Sequence, residues 1–173
     1  PAAKHPHPAP SPATPPPPPS RAHSDEQALA LHVKLGEATP AFDLPSLAGR
    51  VTQASFPGKY VVLDFWTTWC KPCIGGFPKM KDYYQKYQGR LEMISVLGNG
   101  DEAAWRKAAD RYELPWTNAH STAHTDGTHL SQVYGVQALP TKVIIDPEGI
   151  VVGLFVGESD FFYEQLDELL GES

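Results

Sequence analysis

The order of apolar runs and turns predicts an α/β fold, a central mixed β-sheet flanked by helices, over residues 28–173. Three observations predict it. Two nearly continuous apolar runs, Tyr60–Trp66 and Leu91–Leu97, are each followed by a stretch of helical spacing, the β-α-β-α order of strands covered on both faces. A turn signal, Asp146-Pro147-Glu148-Gly149, then separates two further apolar stretches as a hairpin, with an amphipathic stretch after it. Finally, the composition breaks near residue 27. Ten of the eighteen prolines fall in the first twenty residues, five of them consecutive (Pro15 to Pro19), and no aromatic residue precedes Phe42. Such a segment buries too little apolar surface to offset its ordering entropy. Residues 1–27 are therefore expected to be an extended, polyproline-like tail or linker.

Taken in order, residues 28–35 read equally as a short strand or a helix. From Gly36, short strands separated by Gly-containing turns at Leu47–Val51 and Phe56–Lys59 read as a hairpin ahead of the main fold. Tyr60–Trp66 is a central strand broken only by Asp64. Residues 71–88 place Ile74, Phe77, Met80, Tyr84 and Tyr87 at helical spacing. Pro72 falls in the first turn, where its missing N–H is harmless, and Pro78 is expected to bend the helix. Leu91–Leu97 is the next strand, and Asp101–Tyr112 a helix presenting Trp105, Ala108, Ala109 and Tyr112 on one face. The polar stretch Asn118–Gly127 reads as a loop. A short helix through Leu130, Val133 and Tyr134 ends at Gly135. Strands Lys142–Ile145 and Ile150–Val156 form the late hairpin, and Ser159 caps a last helix with Phe162, Leu166, Leu169 and Leu170 buried.

Charge and apolar run length exclude whole classes of function. Lys4 and Arg21 balance Asp25 and Glu26, so the net charge of −6 belongs to the folded part. An acidic domain without a basic cluster is not built for nucleic acid. No apolar run approaches the roughly 18 residues that span a bilayer. The chain begins without Met or a signal-peptide core, so it reads as a processed chain whose tail is a possible tether to a membrane. His120, His124 and His129 are spaced to suggest a metal, but they sit in and beside a loop with Asp126 as the one nearby carboxylate. No metal site is expected from them.

The chemistry concentrates at Cys70 and Cys73, the two cysteines of the chain, two residues apart where a buried strand turns into a helix. The loop they close is too short to stabilise a fold much by chain entropy, so the pair reads as reactive. No other cofactor is called for. Disulfide exchange needs a thiolate. Cys70 precedes the first helical turn, where unpaired N–H groups favour an anion, and Lys71 beside it adds a solvent-screened contribution. Cys73 lies one turn in, placed to resolve a mixed disulfide, and Pro72 stiffens the turn between them. Asp64, in an otherwise apolar strand, is expected to carry a raised pKa through desolvation and to exchange a proton with Cys73. Trp69 abuts Cys70, shielding its sulfur or meeting a partner. Leu139, Pro140 and Thr141 form a helix-to-strand corner suited to face an extended substrate.

Phe65-Trp66-Thr67-Thr68-Trp69-Cys70-Lys71-Pro72-Cys73 resembles the active-site motif of thioredoxin-like proteins. The flanks resemble the TlpA/ResA-like thiol-disulfide oxidoreductases, which overlap with the redoxin (AhpC/TSA-like) group. The stretches that carry this are Gly36–Leu44, Gly58–Leu63, Tyr134–Thr141 and Ile145–Gly149, so the resemblance spans residues 36 to about 157. It implies a thioredoxin fold with an N-terminal β-hairpin extension, Cys70 attacking, Cys73 resolving, and a cis bond before Pro140. It also implies protein dithiol or disulfide substrates, an upstream redox partner, and an extracytoplasmic, periplasmic setting of the kind that membrane-anchored members of the branch occupy. A monomer is expected. Two departures stand out. Gly76 replaces a Glu that the branch often carries three residues after the second cysteine, and Asp64 replaces a common Asn.

Two other functions compete. A peroxiredoxin-like thiol peroxidase would carry Pro seven residues and Thr three residues before the attacking cysteine; Thr67 fits, Leu63 does not. A non-catalytic binding module on the same fold would form a complex that survives loss of both sulfurs.

Overall fold

The computed structural model describes residues 28, 30–121 and 128–171. The tail read over residues 1–27 lies outside them, as do His124 and Asp126. A seven-stranded sheet in the order β2-β1-β5-β4-β3-β6-β7 forms the frame. Its strands are β1 (Asp43–Ser46), β2 (Gly49–Thr52), β3 (Tyr60–Trp66), β4 (Leu91–Leu97), β5 (Thr117–His120), β6 (Thr141–Ile145) and β7 (Val151–Val156). The helices are α1 (Lys71–Lys86), α2 (Glu102–Tyr112), α3 (Leu130–Tyr134) and α4 (Asp160–Leu170). β3 pairs parallel with β4 and β4 with β5, whereas β6 runs antiparallel to β3 and β7 to β6. β1 and β2 pair as an antiparallel hairpin laid against β5. Of residues 28–35, read as strand or helix, Ala28 is helical and residues 30–35 form turns and irregular backbone, with Leu31 and Val33 buried.

β5 is the main departure from the sequence reading, which has a loop from Asn118. Thr117–His120 lacks an apolar run because Ala119 alone of the four is buried. Its strand geometry comes from its neighbours: β4 supplies four register partners on one side, and β1 pairs through Ser46 and Ala119 on the other. Tertiary pairing here overrides local propensity.

The central strand β3 sorts its side chains by the two-residue period of a pleated sheet. Val61, Leu63 and Phe65 join one apolar core with Leu44, Ile94, Val96, Leu130 and Tyr134. Val62 and Trp66 join the other, with Phe77 and Met80 of α1, Trp105 of α2, and Phe162 and Leu166 of α4. Both cysteines lie in this second core. Trp66 meets Phe77 edge-to-face at 5.0 Å, which seats α1 on the end of β3. The capping residues fit their helices. Asp101 accepts from the Ala104 N–H at 2.9 Å and Ser159 from the Phe161 N–H at 3.2 Å. α1 continues through Pro78 to Lys86.

Candidate active site

Cys70 ends the turn after β3 and is the N-cap of α1. Its backbone N–H donates to the Thr67 carbonyl at 3.1 Å, and its Sγ accepts from the Cys73 N–H at 3.3 Å. The sulfur therefore occupies the cap position that a hydroxyl or carboxylate fills in other helices, at the positive end of the helix dipole. Pro72 lies within the first turn, where no N–H is required of it. Cys70 and Cys73 are joined as a disulfide. Cys70 is 5% exposed and Cys73 1%.

A groove of about 620 Å³ opens beside Cys70. Trp69, Cys70, Lys71, Pro72 and Leu139 all line it, so the structure brings together five of the residues singled out in the sequence. Trp69 is 71% exposed, a large indole standing in solvent at the rim. The opposite wall is the loop Val136–Leu139 after α3. The Leu139–Pro140 bond is cis. Pro140 and Thr141 are buried behind that wall rather than in the groove. The Pro140 carbonyl accepts from the Gly157 N–H at 2.8 Å, and the Thr141 hydroxyl donates to the Ala138 carbonyl at 2.8 Å. These two residues shape the corner from within. Thr67 also lines the groove; its hydroxyl is buried and has no hydrogen-bond partner among the described residues.

Asp64 is fully buried on the face of β3 that carries Val62 and Trp66, the face of the cysteine core. Among the described residues neither carboxylate oxygen has a well-formed hydrogen bond; the Lys142 ammonium stands off at 3.5 Å from Oδ1, a distance at which it acts as an ion pair. Burial drives its pKa up from 3.8 to about 6, against the pull of the Lys142 ammonium. Lys142 sits directly across from Asp64 in the β3–β6 ladder, with Nζ 3.5 Å from Asp64 Oδ1 and 3.1 Å from Glu158 Oε2. Its side chain is 2% exposed. A buried lysine is costly unless paired, and this one is paired twice.

Sequence reading left Lys142 and Glu158 out of the site. Lys142 had a visible signal, a lysine inside the apolar run Thr141–Ile145, which demands a partner. Glu158, beside the cap of α4, looks like surface. Among the described residues no three His, Cys, Asp or Glu side chains converge on a metal-sized site.

Comparison with known proteins agrees with this geometry. Residues 35–153 match the AhpC/TSA family. The thiol-disulfide oxidoreductase ResA of Bacillus thuringiensis subsp. konkukian (strain 97-27) is 34% identical over 140 residues, covering 80% of this chain and 78% of ResA. The thioredoxin-like protein YneN of Bacillus subtilis (strain 168) is 30% identical over 129 residues, covering 72% of this chain and 73% of YneN. Among solved structures, one assigned as thiol:disulfide interchange protein DsbE from Chlorobium tepidum superposes with a TM-score of 0.70 at 28% identity, covering 80% of this chain and 98% of that one. The chain belongs to the AhpC/TSA family and, within it, groups with the ResA-like thiol-disulfide oxidoreductases.

Proposed function

We infer that this thiol-disulfide oxidoreductase exchanges two electrons with protein dithiols and disulfides through a mixed disulfide on Cys70. The observation that carries the reading is the placement of Cys70 Sγ as the cap of α1 at the edge of an apolar groove. There the helix N-terminus favours the thiolate once the pair is reduced, and the groove gives a substrate chain somewhere to lie.

In the reducing direction the Cys70 thiolate attacks a substrate disulfide and releases one substrate thiolate. Cys73 then gives its proton to the Asp64 carboxylate and attacks Cys70 Sγ. The bond between Cys70 and the substrate breaks, the electron pair leaves on the second substrate sulfur, and the Cys70–Cys73 disulfide closes. Trp69 and Leu139 flank the path of the incoming chain, while Lys71 and Pro72 form the rim on the Cys70 side. A second dithiol partner returns the pair to its reduced form. By its resemblance to the ResA-like branch, the domain works outside the cytoplasm, with its N-terminal tail as a tether; separately, we propose that it acts as a monomer. No helix among the described residues is long and apolar enough to cross a membrane.

The test is insulin reduction by dithiothreitol. Reduced protein accelerates it, Cys70→Ser abolishes the acceleration, and Cys73→Ser accumulates the mixed disulfide. A rate equal to the uncatalysed control overturns the reading. Peroxide consumption with a thiol donor but no disulfide exchange would indicate the peroxidase instead. The reduction potential of the pair assigns the direction of flow: about −270 mV marks a reductant and about −120 mV an oxidant.

A further inference from the structure

Gly76 lies on the inner face of α1, one turn beyond Cys73, and is buried. A Cβ built on it would fall 2.5 Å from Glu158 Oε2 and 2.8 Å from its Cδ. The carboxylate of Glu158 thus fills the place where any other residue at position 76 would put its side chain. It arrives there from the turn between β7 and α4. From that position its Oε2 is 3.1 Å from Lys142 Nζ, and Oε1 accepts from the Tyr163 hydroxyl at 3.3 Å. Lys142 in turn reaches Asp64 at 3.5 Å. A continuous line of charged groups, Asp64, Lys142 and Glu158, therefore runs from the enclosed face of β3 to the flank of α1. Its inner end is sealed, with Asp64 and Lys142 side chains 1% and 2% exposed, and its outer end is open, with Glu158 31% exposed.

We propose that Glu158 and Lys142 are positioning residues for Asp64: Glu158 draws Lys142 away from Asp64, leaving that carboxylate basic enough to take the Cys73 proton. The proposal rests on the proton-transfer role given to Asp64 above. One lysine shared between two carboxylates neutralises neither fully. Without Glu158 the ammonium would serve Asp64 alone and hold it ionised as a weaker base. The groups facing Asp64 are Lys142 from β6, Glu158 from the turn before α4 and Tyr163 from α4; Ser95 is its neighbour on β4, and the cysteine pair belongs to the core on the same side of β3. Burial, with Glu158 next, pushes the Tyr163 hydroxyl far up, so it stays a neutral donor through the working range. The proton steps balance. Cys73–SH transfers H⁺ to the Asp64 carboxylate, and the sulfur's electron pair forms the bond to Cys70 Sγ as the second substrate sulfur leaves as a thiolate.

The experiment uses a nitrobenzoate disulfide whose thiolate is coloured, mixed with the reduced protein in a stopped-flow instrument. The first colour phase reports attack by Cys70 and the second reports release by Cys73. The second-phase rate is followed from about pH 4 to about pH 8. In the unaltered protein it rises with a midpoint near about 6. Glu158→Gln moves the midpoint down by about one pH unit, tenfold in the ionisation equilibrium. Gly76→Ala displaces the flexible end of Glu158 and moves it the same way, with no penalty to the helix. Lys142→Met moves it up. A role confined to stability would alter denaturation and leave the midpoint in place.

Midpoints unchanged in Glu158→Gln and Gly76→Ala overturn the proposal, and these two decide it even if Lys142→Met fails to fold. Asp64→Asn separates the two levels. If it flattens the profile while Glu158→Gln does nothing, the positioning role alone is wrong. If Asp64→Asn keeps the original profile, the role given to Asp64 is wrong and the proposal falls with it.

Discussion

Replacing Asp64 by Asn should stabilise the oxidised protein at neutral pH, an unusual outcome for a fully buried residue of an active site. In the folded chain the carboxyl titrates near about 6, against 3.8 when free. At roughly 1.4 kcal/mol per unit, keeping Asp64 ionised in the fold costs about 3 kcal/mol. The sign follows from proton counting. Between about pH 4 and about pH 6 the folded state holds a proton that the unfolded chain has released, so stability is full below the free value and is lost as pH rises through about 6. Asn mimics the protonated form and removes that loss. Lys142 is not orphaned, because Glu158 still holds it at 3.1 Å. Urea denaturation of the oxidised protein, both cysteines closed, should therefore show the variant ahead by about 3 kcal/mol at about pH 7 and level with the parent at about pH 4. A variant less stable at about pH 7, or a gain of equal size at both pH values, would refute the reasoning.

Three further outcomes are expected. Trp69→Ala should change stability by no more than about 0.5 kcal/mol, since the indole is 71% exposed, while slowing reaction with a protein disulfide and sparing a small aromatic disulfide; equal slowing of both would remove Trp69 from partner contact. Asp167 accepts from Tyr83 and Tyr87 and pairs with Lys86, and although burial works against it these contacts hold its carboxyl at about 2. Because Asp167 is 40% exposed and solvent screens its ion pair, Asp167→Asn should cost only about 1 kcal/mol at neutral pH by urea denaturation, and the difference should shrink as pH falls below about 4 toward about 2; a constant difference would contradict the linkage. Asp101→Ala removes the cap of α2 and should lower stability by about 1 kcal/mol with no change in insulin reduction, read by denaturation and turnover side by side.

How much of this was legible beforehand depends on whether a residue's meaning is local. The strands β3 and β4 announce themselves because each is a continuous apolar run, and α1 because its apolar positions recur at helical spacing beside a cysteine pair. β5 does not, since three of its four residues are polar and its geometry is lent by β4 and β1. The same division runs through the site. Cys70, Cys73 and Pro72 are neighbours in sequence, and Asp64 stands out in an apolar run. Lys142 and Glu158 acquire their meaning only from Asp64 and Gly76, partners some eighty residues away. Gly76 was visible as a departure from the family pattern. What fills the space beside it was not, because no local rule links a helix glycine to a carboxylate six elements later.

The alternation of β3 separates two kinds of wear on this molecule. Its Val62, Asp64 and Trp66 side belongs with the sulfurs and the buried charges, whereas its Val61, Leu63 and Phe65 side is mainly apolar, its polar groups including the Thr141 hydroxyl and the Tyr134 hydroxyl that meets Thr39. Substitutions among Leu44, Leu63 and Ile94 act across the thickness of a sheet from the chemistry, whereas Phe65 and Val96 of the same core reach the groove beside Cys70. Heat tolerance can thus drift, or be engineered, through the second face while the electron-transfer properties set on the first stay put.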